Sequence, residues 1–294
     1  LSLAASRQTF DIGVTEPYFM GKELAAGIDA FHTQSNIIDE FQTTATGGKF
    51  RLGYAISEYL RHSLRYTIRE DDITDVDSGA SKFIRAEVGS KISSVIGHDL
   101  TYERRNSSVS PTSGYLLSLS NDIAGIGGDV NYLKTRAKAQ YFYPIREGWV
   151  ASVRGEVGNI FGFNEDIQVS DRFFLGGDKL HGFKSAGIGP RDLSTNDALG
   201  GKQSYVATAE VLFPLGLPKQ FAVNGAVFTD AGTITELDFD DAVVVDTGSI
   251  RLAAGVGLGW QSPFGPIRID FSFPILKENF DITEAVRFNF GTRF

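Results

Sequence analysis

The chain has 294 residues, a formal net charge of −8, no cysteine and four histidines. The acidic balance argues against a nucleic-acid binder, and the lack of cysteine excludes disulfides and thiolate metal sites. Abundant glycine (33) and phenylalanine (23) favour β structure, and no apolar run approaches the roughly 20 residues of a membrane helix. The N-terminal stretch LSLAASRQTF lacks a basic start and a long apolar core, so we expect the chain to begin inside a mature protein.

Apolar and polar residues alternate along most of the chain. This period of two predicts strands that have one apolar face and one polar face. The clearest cases, in chain order, are residues 10–14, 50–56, 64–69, 136–143, 149–157, 205–213, 221–230, 250–261, 267–273 and 285–294. We expect about fourteen such strands, most of them near the ~9–11 residues that cross a membrane.

The connections between these strands alternate between short and long. The short ones are 16–22, 57–61, 144–148, 214–219 and 262–265, and the long polar ones are 33–45, 72–92, 163–203 and 232–248. Short turns at one end and long loops at the other are typical of a transmembrane β-barrel, and aromatic residues beside the short turns fit an interfacial girdle. We therefore predict an all-β, antiparallel transmembrane barrel in the bacterial outer membrane, with its short turns on the periplasmic side.

A soluble β-sandwich or a lipocalin-like barrel is the alternative fold. In that case the apolar face would form a core and the polar face would contact water. The number of strands and the charged residues opposite the apolar face of nearly every strand favour the membrane.

The segment 171–192 is too rich in glycine for a helix and too polar for a lipid-facing strand. Gly176 and Gly177 allow sharp turns, and Phe183 is a large apolar side chain that a free loop would leave in water. A long loop with its own aromatic residues predicts a structured element that docks elsewhere. We expect this loop to fold into the lumen of the barrel.

Six stretches carry a more specific pattern: FFLGG (173–177), HGF (181–183), GIGPRD (187–192), ALGGKQSYVATAEVLFP (198–214), FTDAGTI (228–234) and WQSPFGPIRIDFSFP (260–274). Together they resemble the barrel of the BamA family of outer-membrane insertases, over residues 1–294, and the compact GIGPRD loop points to an alphaproteobacterial member. The resemblance implies about 14 of an expected 16 strands. We therefore expect residues 1–294 to be a C-terminal barrel domain without its first two strands and without the preceding POTRA domains.

The resemblance also implies a site. The family carries Arg-Gly-Phe at the tip of the lumen loop, and the arginine pairs with acidic residues on the inner wall. Here the matching residues are His181, Gly182 and Phe183, and the expected wall partners are Glu210 and Asp230. Arginine forms a permanent bidentate pair, whereas histidine is charged only when protonated, which predicts weaker or pH-sensitive anchoring. The alternative is that His181 is a neutral hydrogen-bonding residue in a polar lumen.

The acidic residues of the chain allow further interpretations. Glu210 and Asp230 could form a catalytic carboxylate pair, but no serine nucleophile motif accompanies them, so we expect no enzyme activity and no cofactor. The acidic clusters at 70–72 and 238–241 could hold calcium or lipopolysaccharide counter-ions, and the simpler expectation is that they are solvated loop acids.

The last predicted strand contains Phe288, Phe290 and Gly291 and ends on Phe294, which resembles an outer-membrane targeting signal. The same pattern fits an ordinary lipid-facing strand. Glycine weakens strand pairing, and in the family the last strand pairs poorly with the first, so that this seam opens sideways and accepts a substrate strand by β-augmentation.

The resemblance implies a set of partners. These are nascent outer-membrane barrels, assembly-complex lipoproteins, periplasmic chaperones, and the bilayer with its lipopolysaccharide. The alternative functions are a secretion or translocation pore of the same superfamily and a passive porin.

Overall fold

The computed structural model describes residues 2–4, 7–36, 41–218, 221–262 and 265–290. The strands are β1 (Ser2–Ala4), β2 (Arg7–Glu16), β3 (Leu24–Ser35), β4 (Gln42–Ala55), β5 (Leu60–Thr74), β6 (Gly89–Glu103), β7 (Gly114–Arg146), β8 (Trp149–Gly162), β9 (Gly182–Phe183), β10 (Arg191–Asp192), β11 (Asp197–Ala198), β12 (Gln203–Pro214), β13 (Val223–Thr235), β14 (Val244–Val245), β15 (Arg251–Ser262), β16 (Gly265–Leu276), β17 (Thr283–Glu284) and β18 (Val286–Phe290). The helical segments are α1 (Lys82–Arg85) and a 3-10 turn at Phe19–Gly21. No helix in the described part of the chain is long and apolar enough to cross a membrane.

The long strands form one antiparallel sheet in which spatial order follows chain order, with β1 and β18 at its two ends. β7 holds both arms of a hairpin, because its first part pairs with β6 and its second part with β8. Thr135 Oγ1 donates to Asn121 Oδ1 across this hairpin at 2.7 Å. The sheet has 13 named strands in the described residues. When the two arms of β7 are counted separately, the number agrees with the expected strands, which were about fourteen.

The two faces of the sheet differ in the way that a membrane barrel requires. Outward residues are apolar and exposed, such as Val14 at 78% and Phe288 at 62%, while inward residues such as Asp230 and Asp270 are 0% exposed. Lipid offers no hydrogen-bond partner, so spanning strands must pair with one another and turn their polar side chains inward. The prediction of a transmembrane antiparallel β-barrel is confirmed, and the soluble alternative does not describe this fold.

Some predicted boundaries are wrong by several residues. The long connection expected at 72–92 begins only after Thr74, because β5 continues to that residue. The connection 104–113 is long, but it lies at the end of the barrel where short turns were expected. Its position follows from the pairing of Tyr102 of β6 with Leu60 of β5, which begins just after a short turn. Polar residues at strand ends resemble loop residues in composition, so alternation alone does not mark the last paired residue.

The long connection between β8 and β12 turns back into the barrel. Its residues Phe173, Leu175, Leu180, Phe183 and Ile188 are buried. They pack with inward side chains of the wall in one apolar cluster that includes Val95, Tyr132, Ile160, Ile234 and Ala253. This cluster stabilises the loop inside the lumen, because apolar side chains leave water when they pack there. The prediction of a loop folded into the lumen is confirmed.

Candidate functional site

The lumen loop, defined here as residues 171–192, keeps its tight shape through two glycines. Gly176 has a φ of +127°, and a Cβ at this position would lie 2.0 Å from the Lys184 carbonyl oxygen. Gly177 has a φ of +64°, and its amide donates to the Phe183 carbonyl at 2.8 Å. Only glycine accepts such a backbone conformation without strain at so close an approach. These turns place His181 at the wall of the barrel.

His181 contacts Asp230 of β13 through two bonds. Its Nδ1 lies 2.7 Å from Asp230 Oδ2, and its backbone amide donates to the same oxygen at 3.1 Å. Thr208 Oγ1 of β12 donates to the other carboxylate oxygen at 2.6 Å. The Asp230 side chain is fully buried, so these donors replace the water that the carboxylate loses. The structure therefore places His181 against one of its two expected partners.

Glu210 is the second expected partner, and that pairing with His181 is wrong. Glu210 Oε2 accepts from the Arg268 guanidinium of β16 at 2.5 Å. The second carboxylate beside His181 is Asp270, whose Oδ2 lies 3.7 Å from His181 Nε2. Arg268 also donates to Asp270 through Nε at 2.8 Å. Sequence alternation placed Arg268 and Asp270 on a polar face but did not show that they reach His181 and Glu210.

The ring of His181 also packs against an aromatic side chain. Its centroid lies 4.5 Å from that of Phe228 on β13, with the two planes tilted by 47°. Phe183, two residues later, is 0% exposed and belongs to the apolar cluster of the lumen. The His-Gly-Phe motif therefore supplies a polar contact to the wall and an apolar anchor side by side.

The backbone of the motif forms a separate contact. Gly182 and Phe183 form β9, which pairs with β17 at Glu284 and Thr283. Lys184 N donates to Ile282 O at 2.9 Å, and Ile282 N donates to Gly187 O at 2.9 Å. The motif thus joins the segment that leads into β18, a contact that the sequence did not predict.

The other wall of the barrel also contacts the lumen loop. Lys179 Nζ lies 2.7 Å from Glu156 Oε1 of β8. Phe173 lies under two cationic groups of β7, with Lys134 Nζ at 4.9 Å and Arg136 Cζ at 5.4 Å from its ring centroid. Cations are attracted to the face of an aromatic ring, so these contacts stabilise the start of the loop. The lumen loop therefore spans the barrel from β7 and β8 to β13 and β16.

The end of the lumen loop joins a cap on the long-loop side of the barrel. β10 pairs with β11 and with β14, and α1 packs beside them. The Asp192 carboxylate accepts from Ser81 Oγ at 2.6 Å and from Ser194 Oγ at 2.6 Å. Burial opposes ionisation of Asp192, but these hydrogen bonds outweigh it and hold the pKa of Asp192 below its ordinary value.

We expect the substitution Ser81→Ala to destabilise the cap at neutral pH and to make its stability less dependent on acid. An acid with a depressed folded pKa contributes stability that is complete above its unfolded pKa, about 3.9, and that is lost as the pH falls through the folded pKa. Removing the Ser81 donor brings the folded pKa of Asp192 closer to its unfolded value, so the variant is less stable above about pH 4 and has less stability to lose in acid. The increase in exchange over the wild type should therefore be largest at pH 6 and shrink towards pH 3. Amide exchange of residues 191–199 between pH 3 and 6, corrected for intrinsic rates, measures this. An equal increase in exchange at every pH would contradict it.

The two acidic clusters are engaged in ion pairs. Asp71 of the 70–72 cluster lies within β5 and pairs with Arg69 at 2.7 Å. In the 238–241 cluster, Asp238 pairs with Lys202 at 2.6 Å and Asp241 pairs with Lys82 at 2.7 Å. The expectation of solvated loop acids is wrong for Asp71, which lies in a strand, and Asp238 is largely shielded, whereas Asp241 is a partly exposed loop acid. Within the described ranges, no group of three or more histidine, aspartate or glutamate residues is placed to hold a metal ion.

The last strand presents its apolar residues to lipid. Phe288 and Phe290 are 62% and 59% exposed on the outer face of β18, and Arg287, next to Phe288, points into the lumen. β18 pairs with β16 from Phe290 opposite Ile267 to Val286 opposite Phe271. Gly291 and Phe294 lie outside the described residues.

Comparisons with known proteins agree with this architecture. A family model for the Omp85 superfamily domain matches residues 1–294. The chain is 34% identical over 275 residues to the outer membrane protein assembly factor BamA of Neorickettsia risticii, which covers 92% of this chain and 37% of that protein. It is 23% identical over 329 residues to BamA of Neisseria meningitidis, with coverage of 96% and 41%. It is 28% identical over 268 residues to a SAM50-like protein of Drosophila melanogaster, with coverage of 87% and 58%.

Solved structures show the same fold. The crystal structure of BamA from Haemophilus ducreyi lacking POTRA domains 1–3 superposes with a TM-score of 0.84 at 21% identity, covering 96% of this chain and 61% of that chain. CdiB from Acinetobacter baumannii superposes with a TM-score of 0.61 at 12% identity, covering 95% and 49%. The chain spans 37% and 41% of the two BamA proteins that it matches in sequence.

Proposed function

Since the chain belongs to the Omp85 superfamily and is an integral β-barrel of the outer membrane, we propose that its parent protein inserts and folds other β-barrel proteins into that membrane. The observation that carries this proposal is the similarity along the whole chain to proteins named outer membrane protein assembly factor. We propose further that residues 1–294 are the C-terminal barrel domain of a longer protein with POTRA domains.

The position of β18 supports a lateral route for substrates. Within the described residues, β18 stands at one end of the strand order and pairs with β16 on one of its two edges. A strand at the end of a sheet has unpaired backbone groups along one edge, and a substrate strand can pair with them. Each backbone hydrogen bond that opens at this edge would be replaced by one to the substrate strand. The mechanism needs no cofactor.

We propose that the protein is not an enzyme in the chemical sense. Asp230 is bound by His181 and Thr208, and Glu210 is bound by Arg268. Carboxylates held in this way have a structural function in a charged lumen. The partners that we propose are unfolded outer-membrane barrels, accessory lipoproteins, periplasmic chaperones, and the bilayer with its lipopolysaccharide.

Reconstitution tests the insertase proposal directly. The full-length parent protein is placed in liposomes with its accessory proteins, and a urea-unfolded outer-membrane barrel is diluted into them. Folding of the substrate is followed by its mobility in unheated gels. We expect faster folding than in empty liposomes. An unchanged folding rate in the presence of the accessory proteins would contradict the proposed function.

A passive porin is the alternative that the lumen loop disfavours. The loop crosses the lumen, with Lys179 bound to Glu156 on one wall and His181 bound to Asp230 on another. We therefore expect low single-channel conductance in planar bilayers. A large and steady conductance with the loop in place would favour the porin. A secretion pore of the same superfamily would instead translocate a soluble substrate, which the reconstituted protein should fail to do.

A further inference from the structure

Arg287 connects the last described strand with the lumen loop. It is the inward-facing residue between Val286 and Phe288 on β18. Its Nη1 donates to Asp178 Oδ1 at 3.2 Å, and its Nη2 lies 3.5 Å from Ser185 Oγ. Nη2 also contacts the Glu284 carboxylate. One guanidinium therefore contacts two residues of the lumen loop and one residue just before its own strand.

The lumen loop is shaped to receive this guanidinium. A Cβ at Gly177 would lie 3.1 Å from Arg287 Nη2 and 2.7 Å from Ser185 Oγ. Asp178 follows this glycine directly, and the turn from Gly177 to Phe183 closes through a backbone hydrogen bond of 2.8 Å. Glycine at residue 177 thus leaves room for the guanidinium of Arg287 beside Asp178.

The attachment matters because β18 has one strand neighbour in the described part of the wall. There it pairs with β16 alone, whereas β16 pairs with β15 on one edge and with β18 on the other. The lumen loop adds the β9–β17 pairing just before β18 and the Arg287 ion pair within it. At the same time, His181 attaches the loop to Asp230 of β13. The loop therefore acts as a brace between the wall and the last strand.

We propose that Arg287 is a positioning residue for the seam: its pair with Asp178 holds β18 on the lumen loop, and release of this pair frees the strand edge for a substrate strand. The contacts above support the pairing of Arg287 with Asp178. The effect of this pair on substrate strands rests on the proposed insertase function. Arginine suits this position because its fork of donors satisfies Asp178, Ser185 and Glu284 together.

Amide exchange of β18 in the full-length protein tests the brace. We expect Arg287→Gln and Asp178→Asn each to increase exchange of residues 286–290 by about tenfold, and the double variant to increase it no further, because both remove the same pair. Arg287→Lys keeps the charge and should restore part of the protection. Arg154→Gln is the matched control, since Arg154 lies in β8 and forms no ion pair in the described part of the chain. Additive effects, or equal effects in the control, would overturn the proposal.

Insertion assays separate this proposal from the function on which it rests. Arg287→Gln should change the rate of substrate insertion. Its thermal unfolding temperature should differ from that of the wild type by no more than that of Arg154→Gln does. If the wild type fails to accelerate insertion but the exchange pattern appears, the brace stands and the insertase function fails. If exchange of residues 286–290 is the same in wild type and Arg287→Gln, the brace is wrong whatever the insertion rate.

Discussion

Replacing His181 with alanine should lower the free energy of unfolding by about 3 kcal/mol. The Asp230 carboxylate is 0% exposed, and the substitution removes the side-chain donor 2.7 Å from its Oδ2. The contact with the Phe228 ring is lost as well. Urea unfolding in detergent micelles, followed by mobility in unheated gels, measures the change.

Lys179→Ala is the matched control for this experiment. Lys179 lies in the same loop and forms an ion pair with Glu156 at 2.7 Å, but its side chain is 51% exposed. Exposed ion pairs contribute about 0–1 kcal/mol, so this variant should unfold almost like the wild type. His181→Arg should unfold later than the wild type at neutral pH, because a permanent cation would face the buried carboxylates of Asp230 and Asp270. Equal losses in His181→Ala and Lys179→Ala would contradict the anchoring of the loop through His181.

Replacing Gly176 with alanine should expel the lumen loop from its place. The new Cβ would lie 2.0 Å from the Lys184 carbonyl oxygen, and the φ of +127° is one that alanine adopts only under strain. We expect a loss of at least about 3 kcal/mol, because backbone on both sides must move. Trypsin reports the outcome, since Lys179 and Lys184 lie within the loop and are protected while it occupies the lumen.

Gly216→Ala is the control that separates backbone strain at a positive φ from a steric clash of the new Cβ with its neighbours. Gly216 has a φ of +75°, and a Cβ there would meet nothing within 4 Å. Alanine at this position should cost about 1–2 kcal/mol of backbone strain and leave the loop protected. Trypsin cleavage after Lys179 in Gly216→Ala, or full protection in Gly176→Ala, would show that the packing around Gly176 does not determine where the loop lies.

Much of this fold could be predicted from the sequence, because the relevant physics is local. Successive side chains of a strand point to opposite faces, so the alternation at 267–273 and 285–290 shows which residues contact lipid. The inward position of Glu210 and Asp230 follows from the same count, and both are buried in the structure. The glycines and aromatic residues of 171–192 indicated a packed loop, since such a composition suits neither a spanning strand nor a solvated loop.

The partners within the lumen could not be predicted from alternation. Alternation assigns a residue to a face, but the level in the barrel at which two inward side chains meet depends on strand register and on the curvature of the sheet. Arg268 and Glu210 are 58 positions apart in the chain, and only the pairing of β12, β13, β15 and β16 brings them to 2.5 Å. The expected contact of Glu210 with His181 failed for this reason.

The sequence by itself determined that this chain forms spanning strands, which side of each strand contacts lipid, and that residues 171–192 pack against something. The tertiary structure decided that His181 meets Asp230 and Asp270 and that Arg287 meets Asp178. The reason is physical. A strand's faces follow from the geometry of adjacent residues, whereas contacts across a lumen depend on where a long loop ends after its backbone and all the strands around it have found their register.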